Sequence, residues 1–138
     1  MRTFYIFRIS KEMQILLKSS PYNLFKSLED VYYLDNANIG IGKTILDQLI
    51  VPIDKEKYNK IIYDLNKDND FYMKTGDTQK VVNKYRKEET TIVVKNSHIL
   101  LKTNIISKDI KKFLPITMAF ACDFQNKDYF WLEELIYM

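Results

Sequence analysis

The chain has 138 residues, and 46% are apolar, including eight Phe, ten Tyr and one Trp, which is material for one packed core and excludes a disordered chain. Three Gly and three Pro argue against a Gly-rich catalytic-loop architecture. The formal net charge of +3 comes from Lys interleaved with Asp and Glu, with no long basic block, whereas a dedicated DNA binder concentrates its positive charge on one face or helix.

A single cysteine, Cys122, leaves no internal disulfide and no Cys-based structural zinc site, and fits a reducing compartment. The first apolar run, Phe4-Tyr5-Ile6-Phe7, is broken by Arg8 and is shorter than a signal-sequence core. No stretch approaches the roughly 20 apolar residues that span a bilayer. These features predict a soluble cytoplasmic protein without membrane contact. No repeat, low-complexity segment or long linker interrupts the chain, so one domain over residues 1–138 is expected.

Residues 3–9 are aromatic and β-branched and predict a first strand. Ser10 can cap a short helix to about Lys18, in which Met13, Leu16 and Leu17 share one face and Ile15 points the other way. A short helix with apolar residues on both sides leaves one side for a covering loop or a partner. Ser20-Pro21 is a helix start, with Leu24, Phe25, Leu28, Val31 and Tyr32 as the buried stripe and a break at Asp35-Asn36. A third helix is expected over residues 41–50, with Ile41, Ile45, Gln48 and Leu49 along one side, stopped by Pro52. Asp54 can cap a fourth, over residues 55–67, with Tyr58, Ile61, Ile62 and Leu65 as its core face.

Residues 71–75 fit a short strand. Residues 77–86 have no decisive period; Val81, Val82 and Tyr85 fit one helical face. Residues 91–95 and 98–102 flank the two-residue turn Asn96-Ser97 as a β-hairpin. Ser107 can cap a short helix ending at Pro115. Residues 118–124 are nearly all apolar and predict a buried strand, followed by the turn Gln125-Asn126-Lys127-Asp128 and a last strand at residues 129–132. One strand, then helices, then mostly strands, predicts an α+β fold with a four- to five-stranded, mixed or mainly antiparallel sheet and packed helices.

The segment Ala37-Asn38-Ile39-Gly40-Ile41-Gly42-Lys43-Thr44 is one glycine short of a P-loop, and a helical period precedes it where a P-loop needs a buried strand. An ordinary loop at a helix start is expected. His98, the only histidine, sits beside a turn and reads as a half-buried or surface residue rather than a catalytic one. Cys122 lies in a buried strand, where a thiol behaves as a small apolar group. Asp123 is the one carboxylate set in an apolar run; its expected role is to accept backbone hydrogen bonds or to hold Lys127. The Lys-rich stretches 80–87 and 108–112, with Tyr85 and Phe113 nearby, could touch phosphates and stack bases, but read first as solvated helix faces. No catalytic residue, metal site or cofactor is predicted.

The closing segment Phe120-Ala121-Cys122-Asp123-Phe124-Gln125-Asn126-Lys127-Asp128-Tyr129-Phe130-Trp131-Leu132 resembles the carboxy-terminal part of the SirA family, the sporulation inhibitors of replication. That family has an apolar strand, Asp-Phe, a polar turn with Lys, an aromatic residue and Trp-Leu. The aromatic strand Phe4 to Phe7 entering a short capped helix, Phe25 on the second helix, and Gln48-Leu49-Ile50-Val51-Pro52-Ile53 are similar as well. The resemblance implies a non-enzymatic regulator that binds the N-terminal domain of the replication initiator DnaA and restrains chromosome replication. It places the partner surface at Met13, Leu17, Ile45 and Gln48, with aliphatic residues at first-helix positions where the family has aromatic ones; Met and Leu can fill an apolar pocket on a partner. A monomer without direct nucleic-acid contact is expected. The alternatives are another protein-binding regulator or a small nucleic-acid-binding domain.

Overall fold

The computed structural model describes residues 1–34, 39–105 and 119–132. Alternation at the amino terminus organises the fold. Strand β1, Arg2–Arg8, sends Phe4 and Ile6 to one face of a sheet and Tyr5 and Phe7 to the other, and both pairs meet packed side chains. A strand apolar on both faces belongs in the middle of a sheet. β1 accordingly lies between β5, Ile99–Thr103, and β6, Ala119–Asp123.

The full sheet is antiparallel and open, with seven strands in the order β2-β3-β4-β5-β1-β6-β7. The remaining strands are β2, Tyr72–Thr75; β3, Thr78–Asn83; β4, Glu88–Val94; and β7, Asp128–Trp131. The sheet is thus larger than the four or five strands expected, and no pair is parallel. One of the added strands comes from the segment at residues 77–86, whose apolar residues fit a helical face. Residues 78–83 instead form β3, because Gln79 and Val81 alternate onto the sheet's core side and pair with Ile92 and Thr90. Cross-strand pairing and burial outweigh a weak local period.

Four helices follow β1 among the described residues: α1, Lys11–Leu17; α2, Pro21–Tyr32; α3, Ile39–Leu49; and α4, Lys55–Asn66. Ser10 and Asp54 cap α1 and α4 by accepting hydrogen bonds from the Met13 and Lys57 backbone N–H groups. Ser20 occupies the N-cap position of α2 without a side-chain cap bond; Pro21 starts that helix. The expected break at Asp35-Asn36, the helix capped by Ser107 and the Lys108 to Lys112 stretch fall outside the described residues.

The helices divide between the two faces. α4 sends Ile62 into a core with Phe4, Ile6, Ile92, Ile99 and Leu101. On the opposite face Leu24, Phe25 and Leu28 of α2 and Leu49 of α3 pack on Phe7, Phe120, Cys122, Phe124 and Trp131. Polar residues on the α4 side are paired: the buried Gln79 amide donates to Asn59 Oδ1 at 3.2 Å, and the Thr90 and Thr103 hydroxyls meet at 2.8 Å. Leu65, expected in the α4 core stripe, is exposed instead. Among the described residues no helix is long and apolar enough to cross a membrane.

Candidate functional site

The short helix α1 is positioned by backbone contacts to the end of α3. The Ser10 N–H donates to the Leu49 carbonyl at 2.9 Å, the Ser10 hydroxyl donates to the Gln48 carbonyl at 3.2 Å, and Val51 N–H donates to the Arg8 carbonyl at 2.7 Å. A bridge joins Ile9 to Ile50. This clasp sets the start of α1 beside the last turn of α3, so the two stretches singled out in the sequence are neighbours in space.

The side chains are arranged differently from the expectation. Met13 and Leu17, four residues apart, lie on the inner side of α1 and pack, half-buried, against the core with Leu46. Ile45, 39% exposed, and Gln48 lie on the outer side of α3. The apolar groups that α1 offers to solvent are Ile15 at 77% exposure and Leu16 at 65%. Leu16 therefore sides with Ile15 and not with Met13 and Leu17. The signal was the spacing: residues i and i+4 stack on one side of a helix, while a step of one residue turns away by about 100°. Once Met13 and Leu17 take the core stripe, Leu16 points outward. Polar flanks complete the surface, with Lys11 and Glu12 exposed at the start of α1.

The chemistry-bearing residues elsewhere have structural partners. The buried Asp123 carboxylate accepts from Asn126 Nδ2 at 2.8 Å, from Asn126 N–H at 3.1 Å and from Arg2 Nε at 2.9 Å. Burial alone raises its pKa, but these donors outweigh burial and hold it below the usual carboxylate range. Lys127, expected as its partner, pairs instead with the buried Glu29 of α2, which also accepts from Lys26 at 3.0 Å. The hydrogen bonds from Lys127 and Lys26 pull the Glu29 pKa down.

His98 is half-buried against the rings of Tyr5 and Phe7, at 5.1 and 5.6 Å between centroids, and burial, helped by Lys95, lowers its pKa to about 4. Burial pushes the Cys122 thiol well above its ordinary value. Burial, then the neighbouring Tyr32 hydroxyl, raises Tyr5 to about 12. Gly40 to Thr44 is helical, with the Thr44 hydroxyl donating to the Gly40 carbonyl at 3.1 Å, so these residues form no phosphate-cradling loop. Gly42 lies where α3 passes α2: an added Cβ would meet the end of the Leu34 side chain at 2.5 Å. A cleft of about 240 Å³ beside Tyr5 and Tyr32 includes Asp123 but neither His98 nor Lys43.

No protein-family model matches the chain, and no curated protein matches it.

Proposed function

We propose that this protein is a non-enzymatic regulator that binds another protein through the outer surface of α1 and the last turns of α3. The observation that carries this reading is the pair Ile15 and Leu16, solvent-exposed on a helix whose opposite side is fixed to the core and whose start is clasped to α3. Two adjacent aliphatic side chains on a helix held at its start, with polar residues around them, form a small exposed apolar surface. Exposed apolar surface of this kind on a positioned element supports docking more directly than scattered single residues do.

The resemblance of the carboxy-terminal segment to the SirA family names the partner: the N-terminal domain of DnaA. The mechanism is steric occlusion, in which the α1–α3 surface covers a contact that DnaA needs to assemble at the origin. A cytoplasmic location belongs to this reading and is supported by a lone thiol held in the core. The partner surface is shifted by one helical face from the residues first expected: Ile15 and Leu16 join Ile45 and Gln48, while Met13 and Leu17 support them from beneath.

Expression of the protein in a bacterium whose DnaA it binds should lower the origin-to-terminus DNA ratio. The double variant Ile15→Glu, Leu16→Glu should restore that ratio at equal protein level. An unchanged ratio with wild type, or continued inhibition by the double variant, would count against the reading.

A further inference from the structure

The hairpin of β3 and β4 presents a second surface, at the other end of the sheet from β7 and separate from the one proposed above. Its four-residue turn is Lys84-Tyr85-Arg86-Lys87. Asn83 Oδ1 accepts from the Tyr85 and Arg86 N–H groups at 3.1 and 3.2 Å, and Lys87 closes the turn with φ of 56°. Asn104 fastens the base by donating to the Lys87 carbonyl at 2.8 Å. The turn is therefore built, yet Tyr85 at its tip is 90% exposed, with Phe71 edge-on to it at 6.3 Å between centroids.

Between Tyr85 and the edge of the sheet lies an open, mainly apolar slot of about 470 Å³ formed with Phe71, Met73, Val82 and Lys84, in which Asp70 is the single carboxylate. The register continues the surface across the sheet on the side away from α4. Met73 pairs with Lys80, Lys80 with Thr91, Thr91 with Lys102 and Lys102 with Thr3. Among the described residues, no carboxylate pairs with the side chains of Lys80, Lys84, Lys87 or Lys102, and Arg86 reaches only Glu88 at 3.9 Å.

From this combination we infer that the β3–β4 hairpin and the adjoining sheet face bind single-stranded nucleic acid, with a base stacked on Tyr85 in the slot and phosphates on Lys80, Lys84, Lys87 and Lys102. An exposed ring beside cations without partners is the pairing that single strands use, because every base has a face to stack and every nucleotide a charge to neutralise. A duplex keeps its base faces inside its own stack, and in an acidic peptide the residues that carry the charge carry no ring, whereas every nucleotide supplies both.

The test titrates fluorescein-labelled oligothymidine onto the intact chain at two salt concentrations. Binding is expected, weakening as salt rises because phosphates release counterions. Tyr85→Ala should weaken it by about tenfold at an unchanged melting temperature, since the ring is in solvent. Lys80→Gln with Lys102→Gln should flatten the salt dependence, and Ile15→Glu with Leu16→Glu should leave binding as in wild type, which separates this surface from the protein-binding one. The inference is overturned by absence of binding at low salt, by wild-type affinity in Tyr85→Ala, or by equal competition from the matching duplex, from polyglutamate or from anionic lipid vesicles.

Discussion

Two turns at opposite ends of the sheet share one backbone design and have opposite fates. Asn83-Lys84-Tyr85-Arg86-Lys87-Glu88 joins β3 to β4, and Asp123-Phe124-Gln125-Asn126-Lys127-Asp128 joins β6 to β7. Each opens with a side-chain oxygen that accepts from the backbone inside the turn, from two N–H groups at Asn83 and one at Asp123, and each ends with a lysine at positive φ, 56° for Lys87 and 57° for Lys127. In the second turn the aromatic residue is folded inward: Phe124 stacks on Phe25 and Tyr32, Lys127 pairs with Glu29, and Asp123 holds Arg2. In the first, Tyr85 stands in solvent and Lys84 and Lys87 have no carboxylate partner among the described residues.

The difference follows from what lies above each turn. α2 packs over the β7 end, where Phe25 and Glu29 are buried and Tyr32, expected in the buried stripe but exposed, stacks on Phe124, so the same backbone device joins the core. At the β3–β4 turn the end of α4 reaches only as far as Asn83 and Arg86, which line a cleft with Leu65 and Asn66, and Lys84, Tyr85 and Lys87 are left exposed. Turn geometry specifies where the chain reverses, and the surrounding elements decide whether the turn serves stability or recognition.

The largest expected contrast is between the two aromatic residues. Phe124→Ala should cost about 3–5 kcal/mol in urea unfolding, as for other fully buried Phe, while Tyr85→Ala should stay within about 0.5 kcal/mol of wild type, as for exposed sites. Similar losses for both would erase the distinction. The opening residues give the next contrast. Asp123→Ala removes three hydrogen bonds, one of them from a guanidinium, and should cost about 2–3 kcal/mol. Asn83→Ala, in an exposed turn, should cost about 1 kcal/mol.

A pH series sharpens the comparison, because His98 reaches the Phe124 side of the sheet through Tyr5. With a folded pKa of about 4 against an ordinary 6.5, the unfolded chain binds the proton more readily. Stability is therefore full above pH 6.5 and falls as pH drops toward 4, by about 2 kcal/mol in total after allowance for partial exposure. His98→Phe should lose this slope. A parallel slope in the variant would place the titration elsewhere. Asp123 and Glu29, with lowered pKa values, begin to lose their contribution as pH falls into the ordinary carboxylate range, so the His98 slope is read between about pH 6.5 and 5. The smallest contrast is in the closing lysines: Lys87→Gly should stabilise by about 0.5–1 kcal/mol by relieving the left-handed backbone, whereas Lys127→Gly also breaks the Glu29 pair and should give no gain.

Much of the architecture was legible in the sequence. Ser10 and Asp54 announced α1 and α4 through their caps, Pro21 marked the start of α2, and the unbroken apolar run ending in Asp123 gave β6, because each signal is local and tied to hydrogen bonding or burial. The β3 segment was hidden because its assignment depends on pairing with β4, a tertiary contact. The approach of α1 to the end of α3 is made by Ser10 and the Gln48 to Val51 stretch, both noted in the sequence, but which of Leu16 and Leu17 faces the core depends on tertiary packing. The partner of Lys127 was missed because Glu29 lies on another element, 98 positions away in the chain.

The partner proposed for Ile15 and Leu16 is the N-terminal domain of DnaA. Calorimetric titration of that purified domain into the protein tests it directly. Saturable binding by wild type, unchanged in Tyr85→Ala and weakened at least tenfold, or about 1.4 kcal/mol, in Ile15→Glu with Leu16→Glu at an unaltered melting temperature, is the predicted result. No heat of binding with wild type, or equal affinity in the double variant, would contradict the account.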